Sequence, residues 1–124
     1  MELSLIDEDG LRVVEGVPDQ PFMTRVEDVT RLLEACFSSR ARCALLHARN
    51  LTDGFFDLSS REAGEILRKL RTYGVRLAVV CPPGSVRFST KFDEMRTEER
   101  QKGYFSVFET RDAARAWLGQ FRSL

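Results

Sequence analysis

The sequence predicts an α/β domain in which a β-hairpin is followed by alternating β-α units, giving a mixed, mostly parallel sheet with four helices. Three observations predict it. An Asp9-Gly10 step separates two short apolar runs near the start. Two continuous apolar runs, "RCALLHA" and "VRLAVVC", are too short for helices and suit strands buried on both faces. Around them, apolar residues recur at helical spacing, and glycines follow the ends of two of these stretches.

Element by element, "LSLIDEDGLRVVEG" gives strands near residues 2–7 and 11–15, because Asp and Gly both tolerate the positive φ of a two-residue turn. Residues 17–23, with Pro18 and Pro21, form a linker. Helix 1 starts at Thr24, where Thr24 and Glu27 have capping-box spacing, and Val26, Val29, Leu32, Leu33, Cys36 and Phe37 make its inward stripe. "RCALLHA" is the next strand. After the loop "RNLTDGFFDL", helix 2 starts at Ser59 or Ser60 and runs to about Tyr73. Ser59 and Glu62 repeat the capping-box spacing, Ala63, Ile66, Leu67 and Leu70 face the core, and Gly74 ends the helix. "VRLAVVC" follows and is stopped by Pro82-Pro83-Gly84. A charged helix over about residues 88–102 turns Phe88, Phe92, Met95 and Glu99 to one side and ends at Gly103. "YFSVF" is the last strand. Thr110 then caps a helix whose Ala113, Ala114, Trp117, Leu118 and Phe121 point inward. Repeated β-α units imply right-handed crossovers into the sheet.

The 124 residues are expected to form one domain over residues 1–124. Acidic and basic side chains cancel to a formal net charge of +0, so no global field recruits nucleic acid or an anionic membrane. Cys36, Cys43 and Cys81 are odd in number, widely spaced and set in apolar segments, which reads as reduced core thiols of an intracellular protein. The start "MELSLIDEDG" has neither the basic region nor the apolar stretch of a signal peptide, and no run reaches a membrane span. The expected location is the cytoplasm. No glycine-rich phosphate loop or clustered metal-ligand spacing is present, so neither a cofactor nor a metal is expected.

In parallel sheets, sites gather at the carboxyl ends of strands, and here that edge holds residues 47–58, 81–85 and 108–110. A hydroxyl at Ser59 or Ser60 would cap helix 2. Phosphorylated, it would put a dianion at the positive end of the helix dipole beside Arg61, altering any surface that docks there. Of the adjacent Phe55 and Phe56, one plugs the core and the other is exposed for a partner, unless loop packing buries both. His47 near Cys81, oriented by Asp53 or Asp57, is the one candidate thiolate pair. His47, Asn50, Cys81 and Ser85 also line a possible ligand crevice. Glu94 with Glu98, and Asp93 with Glu99, read as surface acids on a solvated helix.

The stretch "FFDLSSREAGEILRKLRTYGVRLAVVC" resembles the STAS domain of anti-sigma-factor antagonists and sulfate transporters. In that pattern an aspartate and a Ser or Thr stand at a helix start, followed by an apolar helix and a glycine before the next strand. The resemblance gives those roles to Asp57, Ser60, the run from Ala63 to Leu70, and Gly74. This chain has Arg61 where antagonists carry glycine after the phosphorylated residue, and Leu58 separates Asp57 from the serines. The same stretch is more closely similar to the bacterial family catalogued as domain of unknown function 4180, through "FFDL", "AGEIL" and "YGVRLAVV". That family carries no assigned activity, so the likeness implies a fold.

The expected function is a non-catalytic cytoplasmic regulatory or protein-interaction module. It would dock through Asp53, Phe55, Phe56, Asp57, Ser59, Ser60 and Arg61, with a possible phospho-switch at the start of helix 2. The alternative is a small-molecule or nucleotide-binding sensor that uses the strand-end crevice. A third reading is a thiol-dependent enzyme using Cys81 and His47. A protein partner or a homo-oligomer is expected, the latter through Trp117, Phe121 and the hairpin's edge strand, unless Trp117 is an ordinary buried residue of a monomer.

Overall fold

A computed structural model describes residues 3–8, 10–23, 25–51, 53–56, 61–84 and 87–121. The expectations that rest on Asp9, Thr24, Asp57, Ser59, Ser60 and Ser85 lie outside the described residues. At the hairpin, Gly10 takes a φ of 78°, which glycine adopts without a Cβ penalty. There the chain reverses from β1 (Leu3–Glu8) to β2 (Leu11–Gly16), with Glu8 opposite Leu11 and Leu3 opposite Gly16.

β2 then pairs in parallel with β3 (Cys43–His47), β3 with β4 (Arg76–Val80), and β4 with β5 (Phe105–Phe108). The strand order is β1-β2-β3-β4-β5. Three crossovers carry α1 (Val29–Ser39), α2 (Glu62–Thr72) and α3 (Thr90–Lys102). Because every new parallel strand is added on the same side, right-handed crossovers must put all three helices on one face. They do: Leu32, Ile66 and Phe92 share one core with Val14, Leu46 and Val79. α4 (Arg111–Gly119) follows the last strand and covers the other face, where Trp117 and Leu118 pack on Val13, Leu45 and Val80. The period-two alternation of strands sorts neighbouring residues onto opposite faces throughout.

Both Phe55 and Phe56 enter the first core from a 3₁₀ turn at Asp53–Phe56, so the expectation that one of them is exposed is corrected. Their ring centroids lie 5.1 Å apart, and Phe55 also meets Phe92 at 5.8 Å and Phe105 at 5.9 Å. Edge-to-face packing of this kind adds to the area the rings bury. On the second face, Trp117 is buried against Phe108 and Phe121 at centroid distances of 5.7 and 5.1 Å. It belongs to the core and not to an open dimer surface.

Several helix details differ from the sequence reading. A 3₁₀ turn at Val26–Asp28 precedes α1, and the Asp28 carboxylate accepts the Arg25 N–H at 3.0 Å. Phe37, expected inward, is 54% exposed. It falls one position past the buried Cys36, on the flank that faces α2. α2 begins at Glu62, later than Ser59 or Ser60, with Arg61 at its N-cap. Ala113 is exposed, because Ala114, Trp117 and Leu118 take the whole inward side of α4. Glu99 is buried, contrary to the surface reading, and both its oxygens accept from Arg71 Nη1 at 2.6 and 2.8 Å. α3 starts where Ser89 Oγ accepts the Phe92 N–H at 3.1 Å, and it ends at Gly103. Among the described non-glycine residues, Arg40 and Arg61 have positive φ, at 56° and 66°. A side chain in that region costs about 1 kcal/mol relative to glycine.

Candidate functional site

The carboxyl ends of β2 and β3 carry a charged cluster on the face that α4 covers. In β2, Leu11, Val13 and Glu15 project to the same side by alternation, so a lone carboxylate ends an apolar row. Glu15 is 8% exposed. Arg111, the first residue of α4, donates to it from Nε and Nη2 at 2.8 Å each. His47, at the end of β3, places Nε2 3.1 Å from Glu15 Oε2, which sets that nitrogen as the donor when Glu15 is ionised. Burial pushes the Glu15 pKa up, but the hydrogen bonds from Arg111 and His47 outweigh it and hold the carboxyl below its ordinary value. The bond to Glu15 likewise raises Arg111. Thr110 Oγ1 accepts the Ala113 N–H at 3.1 Å, which fixes the start of α4 and so the place of Arg111.

Behind the cluster, Asn50 is fully buried. Its Oδ1 accepts the His47 N–H at 2.6 Å, and its Nδ2 donates to the carbonyls of Val17 and Gln20 at 2.7 Å each. The Asn50 carbonyl accepts from the backbone of Phe22 and Met23 at 3.2 and 2.6 Å. One side chain and one carbonyl thus hold the proline-bearing linker against the end of β3. The close fit requires glycine at position 16, where a Cβ would collide with the Asn50 side chain. Asn50 is therefore spent on structure and is not free to line a crevice.

Cys81 continues β4 on the opposite face of the sheet from His47. His47 is paired with Val80 in register, and the next residue along β4 points the other way. Alternation therefore separates the expected Cys81–His47 pair. Burial pushes the Cys81 thiol up to about 12, Cys36 likewise to about 12, and raises Cys43. All three are free thiols in the core. Cys81 and Pro82-Pro83-Gly84 do border a concavity of about 360 Å³ with Phe88, Arg96 and Glu109. Of the four crevice residues read from sequence, Cys81 lines it, His47 and Asn50 do not, and Ser85 lies outside the described residues. Among the described residues, no group of three or more His, Cys, Asp or Glu side chains is placed to hold a metal.

At the start of α2, Arg61 is exposed and its carbonyl accepts the Glu65 N–H at 3.1 Å. Asp53 begins the short turn that delivers the two phenylalanines to the core. Along α2, Gly64, Glu65, Arg68, Lys69, Thr72 and Tyr73 face outward. Tyr73 is 56% exposed and meets Phe37 of α1 edge to face, with centroids 5.7 Å apart. This pair is the largest exposed aromatic feature of the α1–α2 layer. Sequence reasoning missed it by turning Phe37 inward, and it missed Glu15, whose sign of importance was a carboxylate in an apolar strand. Arg111 gave no local signal, since its partner is 96 positions away.

The chain matches the model of the family described as Domain of unknown function (DUF4180) over residues 8–118. No curated protein and no solved structure matches. No described helix is long and apolar enough to cross a membrane.

Proposed function

Because the chain belongs to the DUF4180 family, whose description names no reaction, we propose from its geometry that it is a STAS-like, non-catalytic cytoplasmic regulatory module that docks a protein partner on the α1–α2 layer. The observation that carries this reading is the Phe37–Tyr73 pair, two rings packed on each other with more than half of each residue's surface open. Exposed aromatics that are already held in place lose little entropy on binding and are enriched at interface centres. Arg61, Arg68 and Lys69 on the same helix supply a polar rim. The Ser59–Ser60 step lies immediately before Arg61, so a phosphate there would change the charge at one end of this surface. The polar groups at the strand ends support a structural role over a catalytic one. Glu15 is engaged on both oxygens, and the thiols are held protonated.

The test is affinity capture from native cytoplasm, comparing wild type with Phe37→Ser, Tyr73→Ser and Ser60→Asp, with mass spectrometry of partners and bait. A partner held by wild type and released by the two aromatic substitutions, and then reproduced with purified components, supports the module. Release by Ser60→Asp as well, with phosphate found on Ser60, supports the switch. Identical recovery from all four baits sinks the docking surface. A second reading, a small-molecule sensor, is favoured by the concavity beside Pro82-Pro83-Gly84. A thermal shift with a metabolite panel, abolished by Arg96→Ala, is the result that would prefer it.

A further inference from the structure

We propose that a concavity at the amino-terminal edge of the parallel strands binds a small ligand carrying a di- or triphosphate group. It lies at the opposite edge of the sheet from the cluster described above, and it does not depend on the docking surface. Arg12 at the start of β2, Arg40 and Arg42 between α1 and β3, and Arg76 at the start of β4 all line one pocket of about 570 Å³. Asp7 is the single carboxylate among the described residues of its lining, and Phe121 forms an apolar wall.

Charge is the first argument. Arg12 Nε bonds Asp7 at 3.2 Å, which neutralises one of the four guanidinium groups. Neither Arg40, Arg42 nor Arg76 has a carboxylate within ion-pair distance among the described residues. Three cations without a carboxylate partner among the described residues thus line one pocket, in a chain whose formal net charge is +0. Unrelieved, they repel one another, and a compact polyanion removes that cost.

Preorganisation is the second. Arg76 is held by a bond from Nε to the Gly103 carbonyl at 3.0 Å and by the rings of Tyr104 and Phe121, whose centroids lie 4.8 and 4.1 Å from its guanidinium carbon. Arg12 is fixed by its Asp7 bond and by donation from Nη1 to the Ser39 carbonyl at 3.1 Å. Arg40 occupies the left-handed C-cap of α1, where glycine is the favoured residue. The chain accepts that backbone cost and gains a guanidinium at the pocket. Planar guanidinium groups bind phosphate oxygens two at a time. A pocket of this volume suits a small molecule, and a single concave cluster lacks the extended basic stripe that a nucleic acid would need.

Isothermal titration of the full chain at near-physiological salt, with pyrophosphate, adenosine triphosphate and adenosine, tests the proposal. The first two are expected to bind and adenosine is not. Arg42→Gln and Arg40→Gly are each expected to weaken binding about tenfold or more, as loss of a charge-assisted contact does. Arg40→Gly also relieves the left-handed backbone, so its Tm should stay level or rise, which separates lost binding from lost folding. Silence with both phosphate ligands overturns the proposal, as does unchanged affinity in both variants. Affinity that climbs with the length of an oligonucleotide also overturns it, in favour of a nucleic-acid surface.

Discussion

Glu15 and Arg111, 96 positions apart in the chain, meet in a two-pronged ion pair that ties the last helix to the second strand, each of its N···O distances being 2.8 Å. His47 shares the same carboxylate from the neighbouring strand. The pair is one-sided: Glu15 is nearly closed to water, whereas the Arg111 side chain is 43% exposed.

Arg111→Ala should therefore destabilise the fold by about 2 kcal/mol, less than for a fully buried pair because water still reaches the arginine side. Urea unfolding measures it. A loss below about 0.5 kcal/mol would place the pair among ordinary surface contacts.

The pH dependence follows from the lowered Glu15 pKa. Its stabilisation is fully present above the ordinary value of 4.5 and is lost as pH falls from there through the lower folded value. Glu15→Gln should be less stable than wild type at neutral pH, and its stability should fall less steeply in acid. Parallel stability curves for the two proteins below pH 4.5 would contradict the assignment.

Gly16 and Asn50 should show strong coupling. Gly16→Ala drives a methyl into the Asn50 side chain and should cost about 2 kcal/mol or more. In an Asn50→Ala background much of that cost should vanish, since the obstructing side chain is gone. A double-mutant cycle in which the two losses simply add would mean that the backbone relaxes around the methyl instead.

Cys81 should alkylate more slowly in the native protein than in the urea-unfolded chain, because its thiol is buried and held up to about 12. Site-resolved mass spectrometry of labelled peptides gives the rate for each cysteine. Fast native labelling at Cys81 would revive the thiolate reading that strand alternation argues against.

The order of elements was legible because each strand and helix carries its own period. "RCALLHA" and "VRLAVVC" could be little else than buried strands, and Gly74 and Gly103 marked helix ends by the φ they supply. What failed was whatever depends on partners far away in sequence. Phe37 lies at the margin of its stripe, and only the position of α2 decides that it stays outside. Glu99 looked solvated until Arg71, 28 residues earlier, reached it from α2. The Phe55–Phe56 step looked like a boundary between core and surface, yet it is the core's entry point, because a 3₁₀ turn can aim consecutive rings inward where a strand cannot. Strand adjacency brings Cys81 and His47 to neighbouring strand ends but not to one face, because successive residues of a strand alternate.

The placement of α4, alone on its face, bears on how the protein is made. A chain emerging from the ribosome completes all five described strands and the three crossover helices before Arg111 is synthesised. Until then the row of Val13, Leu45, Ala78 and Val80 has no cover, and Glu15 has yet to meet its arginine. Any partly folded state in which α4 has not docked leaves that row open to association, and the docking of α4 closes it.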